Sequence, residues 1–146
     1  MIEKKHIGHK FRPVTLLVEE GRLKFLAKTL GITQGIYTDP NKAQAEGLPG
    51  LLAPPTYPFV LEIEALELVY LVNLLGETLG NLLHGEENFT YHGPIYAGDE
   101  ITVCKKITDI IDKKEGTLQF VISQTKFTNQ DDKKVAETLT NYVFRH

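Results

Sequence analysis

The side chains best suited to moving a proton fall into two groups along the sequence. Glu62, Glu64 and Glu67 interrupt the most apolar segment, and His84 and His92 bracket "GEENFTY". Carboxylates and imidazoles are the usual general acids and bases of enzymes. Two histidines could also begin a metal site, but a third ligand at a suitable spacing is not evident. Both groups are therefore candidates for acid–base chemistry.

Other reactive side chains have simpler structural explanations. Glu64 and Glu67 can share one helix face, but we expect the three glutamates to form a solvated or interface-facing stripe. Asp39 precedes Pro40 and is predicted to cap a short helix rather than to act in catalysis. Cys104 lies in the alternating stretch "ITVCKKIT", which favours a packed strand cysteine over a nucleophile.

The bulk composition excludes several classes of function. The chain has 146 residues, 42% hydrophobic and 24% charged, which predicts one globular domain over residues 1–146. The net charge is −3 and the lysines form isolated pairs, so we expect no nucleic-acid partner. Three carboxylates within residues 57–75 argue against a membrane span. With a single cysteine and no apolar leader, the chain is expected to be cytoplasmic.

The elements that must position these residues change character halfway along the chain. "KFRPVTLLV" predicts an edge strand, because Pro13 lacks a ladder donor. "EEGRLKFLAKTLG" has apolar residues at helical spacing, with Gly31 as its C-terminal cap. A short helix is predicted after Pro40, ending at Gly47. Residues 56–75 are apolar on nearly every face, which predicts one long buried helix that ends at Gly76.

The C-terminal half predicts four long strands. They are "LLHGEENFTYHGPI", "DEITVCKKITDII", "TLQFVISQTKFTN" and "KVAETLTNYVFR", separated by the turn-forming stretches "YAGD", "DKKEG" and "NQDDKK". We expect them to meander antiparallel. The fold class is therefore α+β, with a long central helix wrapped by one curved antiparallel sheet.

The sequence resembles a known family. Residues 8–144 are similar to proteins with the hot-dog fold, and specifically to the N-terminal MaoC-like dehydratase domain. The resemblance rests mainly on "YTDPNKAQAEGLPGLLAPPTYPF" and "LHGEENFTYHGPIYAGDEIT". The chain most resembles the non-catalytic, substrate-binding subunit of heteromeric (3R)-hydroxyacyl-carrier-protein dehydratases.

The resemblance implies a chemistry and also its loss in this chain. Active members add or remove water across a 2-enoyl thioester, using the Asp and the His of an Asp-x-Asn-Pro-x-His segment and a backbone N–H that holds the thioester oxygen. Here the Asp position is occupied by Ile32 and the His position by Tyr37, and the oxyanion-donor position is occupied by Pro55. Isoleucine has no proton to exchange, tyrosine is a poor base at neutral pH, and proline has no N–H. We therefore expect no catalytic residues.

The family likeness also implies a binding role. The predicted substrate-binding residues are Tyr37, Pro54, Thr56, Tyr57, His84, Tyr91 and His92. Tyr37 could hydrogen-bond the thioester or the carrier arm, and Thr56 would lie near the positive end of the helix dipole. For His84 and His92, which share a face if the strand is regular, a structural or tunnel-lining role is favoured. No metal and no other cofactor is implied.

The implied partners are an acyl-CoA or acyl-carrier-protein thioester and a second hot-dog chain. That second chain would be another copy or a catalytic MaoC-like subunit that supplies the missing Asp and His. Two alternatives stay open at this stage. One is a stand-alone homodimeric hydratase or an acyl-thioesterase using Glu64, Glu67 or Asp39. The other is a dimer that binds acyl thioesters without turnover.

Overall fold

The computed structural model describes all 146 residues apart from the side chain of Lys114. The helices are α1 (Glu20–Thr29), α2 (Gly35–Thr38), α3 (Pro40–Ala45), α4 (Tyr57–Ala65) and α5 (Leu68–Leu75). The strands are β1 (Val14–Leu17), β2 (Leu82–Tyr91), β3 (Glu100–Lys113), β4 (Leu118–Thr128) and β5 (Lys134–Arg145). Short 3-10 turns occur at Lys4–His6, Leu79–Asn81 and Lys114–Gly116. The predicted α+β class is confirmed.

Over the described residues the strands form one antiparallel sheet in the order β1-β3-β4-β5-β2. The four long strands are confirmed, and β1 is an edge strand, as Pro13 predicted. The simple meander was wrong for β2, because this strand pairs with β5 and not with β3. The reason is that a strand has two edges, and those of β3 are taken by β1 and β4.

The core lies between the sheet and the helices and has two apolar clusters. The first joins Leu23 of α1, Leu61 of α4 and Phe127 of β4. The second joins Leu71 of α5 to Ile107 and other buried side chains of the sheet. Side chains alternate along each strand, so the inward positions of β3, β4 and β5 face these clusters.

The long central helix is interrupted, contrary to the single helix predicted for residues 56–75. The backbone of Leu66 is extended, with φ −105° and ψ 111°, and Glu67 is the N-cap of the next helix. Leu61 before the break packs in the first cluster, whereas Leu66 and Leu71 pack in the second. The break therefore lets one apolar run serve two clusters, at a place where the sequence has no Pro or Gly. Among the described residues, no helix is both long and apolar enough to cross a membrane.

Two of the predicted helix caps are present, one at the end of α1 and one at the start of α3. Gly31 adopts φ +71°, its amide bonds to the Lys28 carbonyl at 3.1 Å, and the Ile32 amide bonds to the Ala27 carbonyl at 2.9 Å. This pair of bonds closes α1 with a glycine in the left-handed region. At α3, Asp39 Oδ1 accepts from the Asn41 amide at 2.9 Å, which confirms the predicted N-cap.

Candidate functional site

A pocket of about 350 Å³ opens where the turn before α4 faces the end of β2. One wall is formed by residues 52–55 and by Pro58 of α4. The opposite wall is formed by Tyr91 and residues 93–95, and Tyr37 of α2 closes a third side. The lining is mostly apolar, with the two tyrosine hydroxyls as its polar side-chain groups. A pocket of this size and lining is suited to a small apolar ligand portion.

Backbone hydrogen bonds hold the turn against its neighbours on both sides. The Leu52 amide donates to the Ile36 carbonyl at 2.9 Å, and the Ala53 amide donates to the Ile95 carbonyl at 2.8 Å. On the same segment, Gly50 permits a close approach to Ala97, because a Cβ on Gly50 would lie 2.7 Å from the Ala97 carbonyl oxygen. The pocket wall is therefore preformed by main-chain contacts and does not depend on long flexible side chains.

Tyr91 connects β2 to the turn before α4 through a hydrogen bond. Its hydroxyl donates to the Pro55 carbonyl oxygen at 2.7 Å, and its ring stacks on Phe89 with centroids 6.0 Å apart. Burial raises the pKa of Tyr91 above its ordinary value, so the phenol stays protonated at neutral pH and acts as a donor. Tyr91 can orient the turn but cannot take up a proton from a substrate.

The first turn of α4 offers little to an oxyanion. The Tyr57 amide already donates to the Pro54 carbonyl at 2.9 Å, and the Phe59 amide to the Thr56 carbonyl at 3.1 Å. Pro55 and Pro58 have no N–H. Of the amides that would normally hold a developing negative charge at such a helix start, those of Tyr57 and Phe59 are used within the turn and two positions have none, which leaves the amide of Thr56.

The structure brings three of the predicted substrate-binding residues to this pocket and not the other four. Tyr37, Pro54 and Tyr91 line it, while Thr56 is exposed just before α4. Tyr57 is fully buried in the first core cluster, and its hydroxyl has no hydrogen-bond partner among the described residues. Burial is the main cause of the raised pKa of Tyr57.

His84 and His92 lie on opposite faces of the sheet, so the expectation of a shared face was wrong. The pairing of β2 with β5 shifts by one residue between His84 and Glu86, which is a bulge at Gly85. His84 therefore turns inward, stacks on Phe59 with centroids 5.1 Å apart, and places Nε2 3.1 Å from Glu87 Oε2. His92 instead places its Nε2 3.0 Å from Glu137 Oε2.

The three glutamates within residues 57–75 behave differently from one another. Glu64 is exposed and pairs with Arg22, and Glu67 is exposed at the N-cap of α5. Glu62 was expected on the solvated stripe, but it is 1% exposed. The correction has a physical basis, because Lys105 of β3 forms a buried ion pair with it and supplies the compensating charge.

A network of donors surrounds the Glu62 carboxylate. Thr140 Oγ1 donates to Oε1 at 2.6 Å and Thr138 Oγ1 donates to Oε2 at 2.5 Å, while Lys105 Nζ also donates to the Tyr142 hydroxyl at 2.7 Å. Burial alone would raise the pKa of Glu62, but Lys105 and the threonine hydroxyls outweigh it and lower that pKa. Burial also lowers the pKa of Lys105, while the charge of Glu62 and its hydrogen bond act to raise it. The cluster is satisfied and closed to substrate.

The sequence contains a signal from which this cluster could have been predicted. Lys105 stands on the inward register of β3, between the buried residues Val103 and Ile107. A lysine at such a position needs a buried acid. Cys104, its neighbour, points outward and is exposed, so the expectation of a packed cysteine was wrong. Among the described residues, no group of three or more His, Cys, Asp or Glu could hold a metal ion.

Comparison with known proteins gives consistent results in sequence and in structure. A family model described as "FAS1-like, dehydratase domain region" matches residues 5–138. A UPF0336 protein of Streptomyces avermitilis is 33% identical over 111 residues, which is 75% of this chain and 73% of that protein.

Solved structures share the fold over nearly the whole chain. The C-terminally truncated HadBC (3R-hydroxyacyl-ACP dehydratase) complex of Mycobacterium tuberculosis has a TM-score of 0.79 at 18% identity, covering 94% of this chain and 96% of that one. A structure described as a MaoC-like dehydratase has a TM-score of 0.82 at 22% identity, covering 96% of this chain and 42% of that one. These likenesses confirm the predicted hot-dog fold.

Proposed function

The chain belongs to the family of FAS1-like dehydratase regions, and from this membership we propose that it is an acyl-thioester-binding hot-dog subunit without catalytic residues of its own. Its activity would be that of one half of an (R)-specific 3-hydroxyacyl-thioester dehydratase or 2-enoyl-thioester hydratase. The second half, a catalytic MaoC-like chain, would supply the Asp and the His.

The observation that carries this proposal is a formed pocket without the means of proton transfer. Tyr37, at the family's His position, lines the pocket. Ile32, at the Asp position, is a half-buried aliphatic residue whose amide closes α1. Removal of a proton next to a thioester requires a base within hydrogen-bond reach, and neither residue provides one.

The turn before α4 supports the same conclusion for the oxyanion. Pro55 stands where a backbone donor is needed, and its carbonyl accepts from Tyr91. The pocket can therefore hold an apolar acyl portion but offers no backbone donor from Pro55 to stabilise an enolate. Binding is retained in this proposal and turnover is assigned to the partner.

The partner would pair with the free edge of β2. This strand is last in the sheet order, and only β5 pairs with it among the described residues. The similar HadBC structure is described as a complex of a (3R)-hydroxyacyl-ACP dehydratase, which supports a two-chain assembly here. The ligand would be an acyl group on coenzyme A or on acyl carrier protein.

The alternative of a stand-alone thioesterase finds less support in the geometry. Glu64 is paired with Arg22 away from the pocket lining, and Asp39 caps α3. Glu62 is closed within the core by its donors. None of these carboxylates lines the pocket beside α4.

The deciding experiment compares the purified chain with a reconstituted pair. Crotonyl and longer 2-enoyl thioesters are offered, and loss of the conjugated absorbance and release of thiol are followed. We expect neither from the chain alone, and hydration only after co-expression with a related protein carrying Asp-x-Asn-Pro-x-His. Rapid hydration by the lone chain would overturn the proposal, as would thiol release that Glu64→Gln abolishes. Ligand binding without activity in any mixture would favour the binding-only dimer.

A further inference from the structure

The free edge of β2 has two adjacent carboxylates at its centre. Glu86 and Glu87 occupy the middle of Leu82–Tyr91; Glu86 is exposed, whereas the Glu87 side chain is 9% exposed and turns toward His84 and Thr140. Glu86 takes part in no ion pair among the described residues. Any chain that extends the sheet across this edge must pass the exposed Glu86 and run beside the backbone of Glu87.

Pairing of two copies along this edge is restricted by symmetry. A two-fold dimer joins the same strand to itself antiparallel, and both copies must turn their concave faces to the same side. The bulge at Gly85 interrupts the alternation of faces along β2, so the axis can pass between two copies of one residue or between Glu86 and Glu87. The registers that overlap most of β2 therefore set Glu86 opposite Glu86, Glu86 opposite Glu87, or Glu87 opposite Glu87.

Other self-pairing registers do not separate the carboxylates. A shift of the axis to Asn88 leaves Glu87 of each copy diagonal to its counterpart, and diagonal neighbours on a sheet still interact. Like charges directly opposite on a sheet are destabilising. Self-pairing in registers centred on the middle of β2 is therefore opposed by its own charge.

The surroundings of Glu87 disfavour its ionised form, so the charge at this edge is carried first by the exposed Glu86. His84 Nε2 and Thr140 Oγ1 approach its two oxygens at 3.1 and 3.2 Å. Burial first, and then the charge of Glu62, raise the pKa of Glu87, while His84 and Thr140 act to lower it. Lys105, inside the core, is already paired with Glu62.

The apolar surface beside the same edge favours association. Ile63 of α4 is 46% exposed, Tyr91 is 53% exposed, and Phe59 and Phe89 are half-buried next to them. A partner of the same fold would cover these residues with its own helix and strand. Attraction and charge repulsion thus coexist on one surface, and the charge decides which chain can use it.

We propose that Glu86 and Glu87 disfavour pairing of this chain with itself and select a second hot-dog chain that carries basic or uncharged residues at the centre of its matching strand. This inference rests on the proposed function, which assigns partner pairing to β2. It adds the chemical rule by which the partner is chosen.

The first test measures self-association of the isolated chain by sedimentation. Glu86→Gln with Glu87→Gln keeps side-chain size and removes the charge. We expect this variant to dimerise about fivefold or more tightly than the wild type, because at least one direct like-charge pair is lost. Higher ionic strength should strengthen self-association of the wild type alone. The matched control, Glu46→Gln with Glu115→Gln, removes the same charge from exposed positions outside β2 and should dimerise like the wild type.

The second test uses a charge-reversed copy as the partner. Glu86→Lys with Glu87→Lys is mixed with the wild-type chain, and the fraction of mixed dimers is measured by native mass spectrometry. Mixed dimers should exceed the statistical half, because each lysine then faces a glutamate. If Glu87→Lys prevents folding, Glu86→Lys and Glu86→Gln alone provide the same comparison, since Glu86 is exposed.

Equal dissociation constants for the wild type and the Gln variant, or a statistical mixture in the second test, would overturn this inference. Neither outcome affects the proposed function, which is judged by enoyl-thioester hydration. Conversely, hydration by the lone chain would overturn the proposed function while the charge rule could still be measured.

Discussion

The Glu62 carboxylate is the buried charge on which the packing of α4 against the sheet depends. It accepts from Lys105, Thr138 and Thr140, which belong to two different strands. Such a pair is stabilising only while it is complete, because removing one partner leaves the other charge buried. We expect Glu62→Gln to lower the free energy of unfolding by about 3 kcal/mol.

The matched control is Glu64→Gln, two residues along the same helix. Glu64 pairs with Arg22 at the surface, and exposed ion pairs contribute about 0–1 kcal/mol. Urea denaturation of both variants checks the comparison. Similar losses for Glu62→Gln and Glu64→Gln would show that the buried pair is not important for stability. In Glu62→Leu with Lys105→Leu, no unpaired charge is left, and this double variant should be more stable than Glu62→Gln.

The same residue sets a pH dependence of stability. The pKa of Glu62 is lowered from 4.5 in the folded chain, so its ionised form contributes stability above 4.5 that is lost as the pH falls through the folded pKa. The pKa of Glu87 is raised, so Glu87 has the opposite effect. Its contribution to the stability of the folded chain is lost as the pH rises through its pKa in the folded chain. We expect acid destabilisation to be weaker in Glu62→Gln. Urea midpoints of the wild type and of Glu62→Gln, measured from neutral pH to below 4.5, test this. Parallel curves of midpoint against pH for the two proteins would contradict it.

At the scale of elements, the bulge in β2 decides which side chains reach the core. A Cβ on Gly85 would lie 2.8 Å from Val143 Cγ2 and 3.1 Å from the Asn141 carbonyl oxygen. We expect Gly85→Ala to lower the free energy of unfolding by about 1 kcal/mol through overpacking. Gly21→Ala in α1 is the control, because a Cβ there meets no atom within 4 Å among the described residues. It should be neutral or stabilise by up to about 1 kcal/mol.

Thermal denaturation of the two alanine variants measures the difference. Equal melting temperatures would mean that β2 shifts without loss at Gly85. If the clash with Val143 causes the loss of stability, Val143→Ala should restore part of the stability that Gly85→Ala removes. The effects of the two substitutions on the free energy of unfolding should then be non-additive.

Long-range pairing explains which features of the fold could be predicted. The strands, α1 and the Asp39 cap follow from local periodicity and turn residues, and all three are confirmed. The β2–β5 pairing, the bulge at Gly85 and the break at Leu66 depend on contacts between distant segments. A period-2 count along β2 could not reveal the extra residue, so the faces of His84 and His92 were predicted wrongly.

The candidate site shows the same limit. The turn before α4 was identified from its prolines, and Tyr37, Pro54 and Tyr91 meet at one pocket. Thr56 and Tyr57 are close in sequence but not in the lining, because a helix start turns successive side chains in different directions. The buried Glu62 could have been predicted by asking what Lys105 pairs with.

For the whole molecule, the pocket and the pairing edge meet at one strand. Tyr91 of β2 lines the pocket and bonds to Pro55, while Glu86 and Glu87 of the same strand stand at the free edge. Association along β2 would therefore cover residues next to the ligand site. Under the proposed function, this arrangement would let the chain affect which ligands its partner can use.

That connection leads to a prediction about acyl chain length in the reconstituted pair. Ala53 lines the pocket and is half-buried, so Ala53→Leu puts an isobutyl group where a methyl group stood and narrows the space for an acyl chain. Hydration of long 2-enoyl thioesters by the co-expressed pair should fall about tenfold in kcat/KM, as expected for about 1.4 kcal/mol of lost binding. Crotonyl thioester should be affected less, because its short chain does not fill the pocket. Ala45→Leu, on the exposed surface of α3, is the matched control and should leave both rates unchanged. An equal fall for short and long substrates would indicate that Ala53 affects assembly or folding and not the space available to the acyl chain.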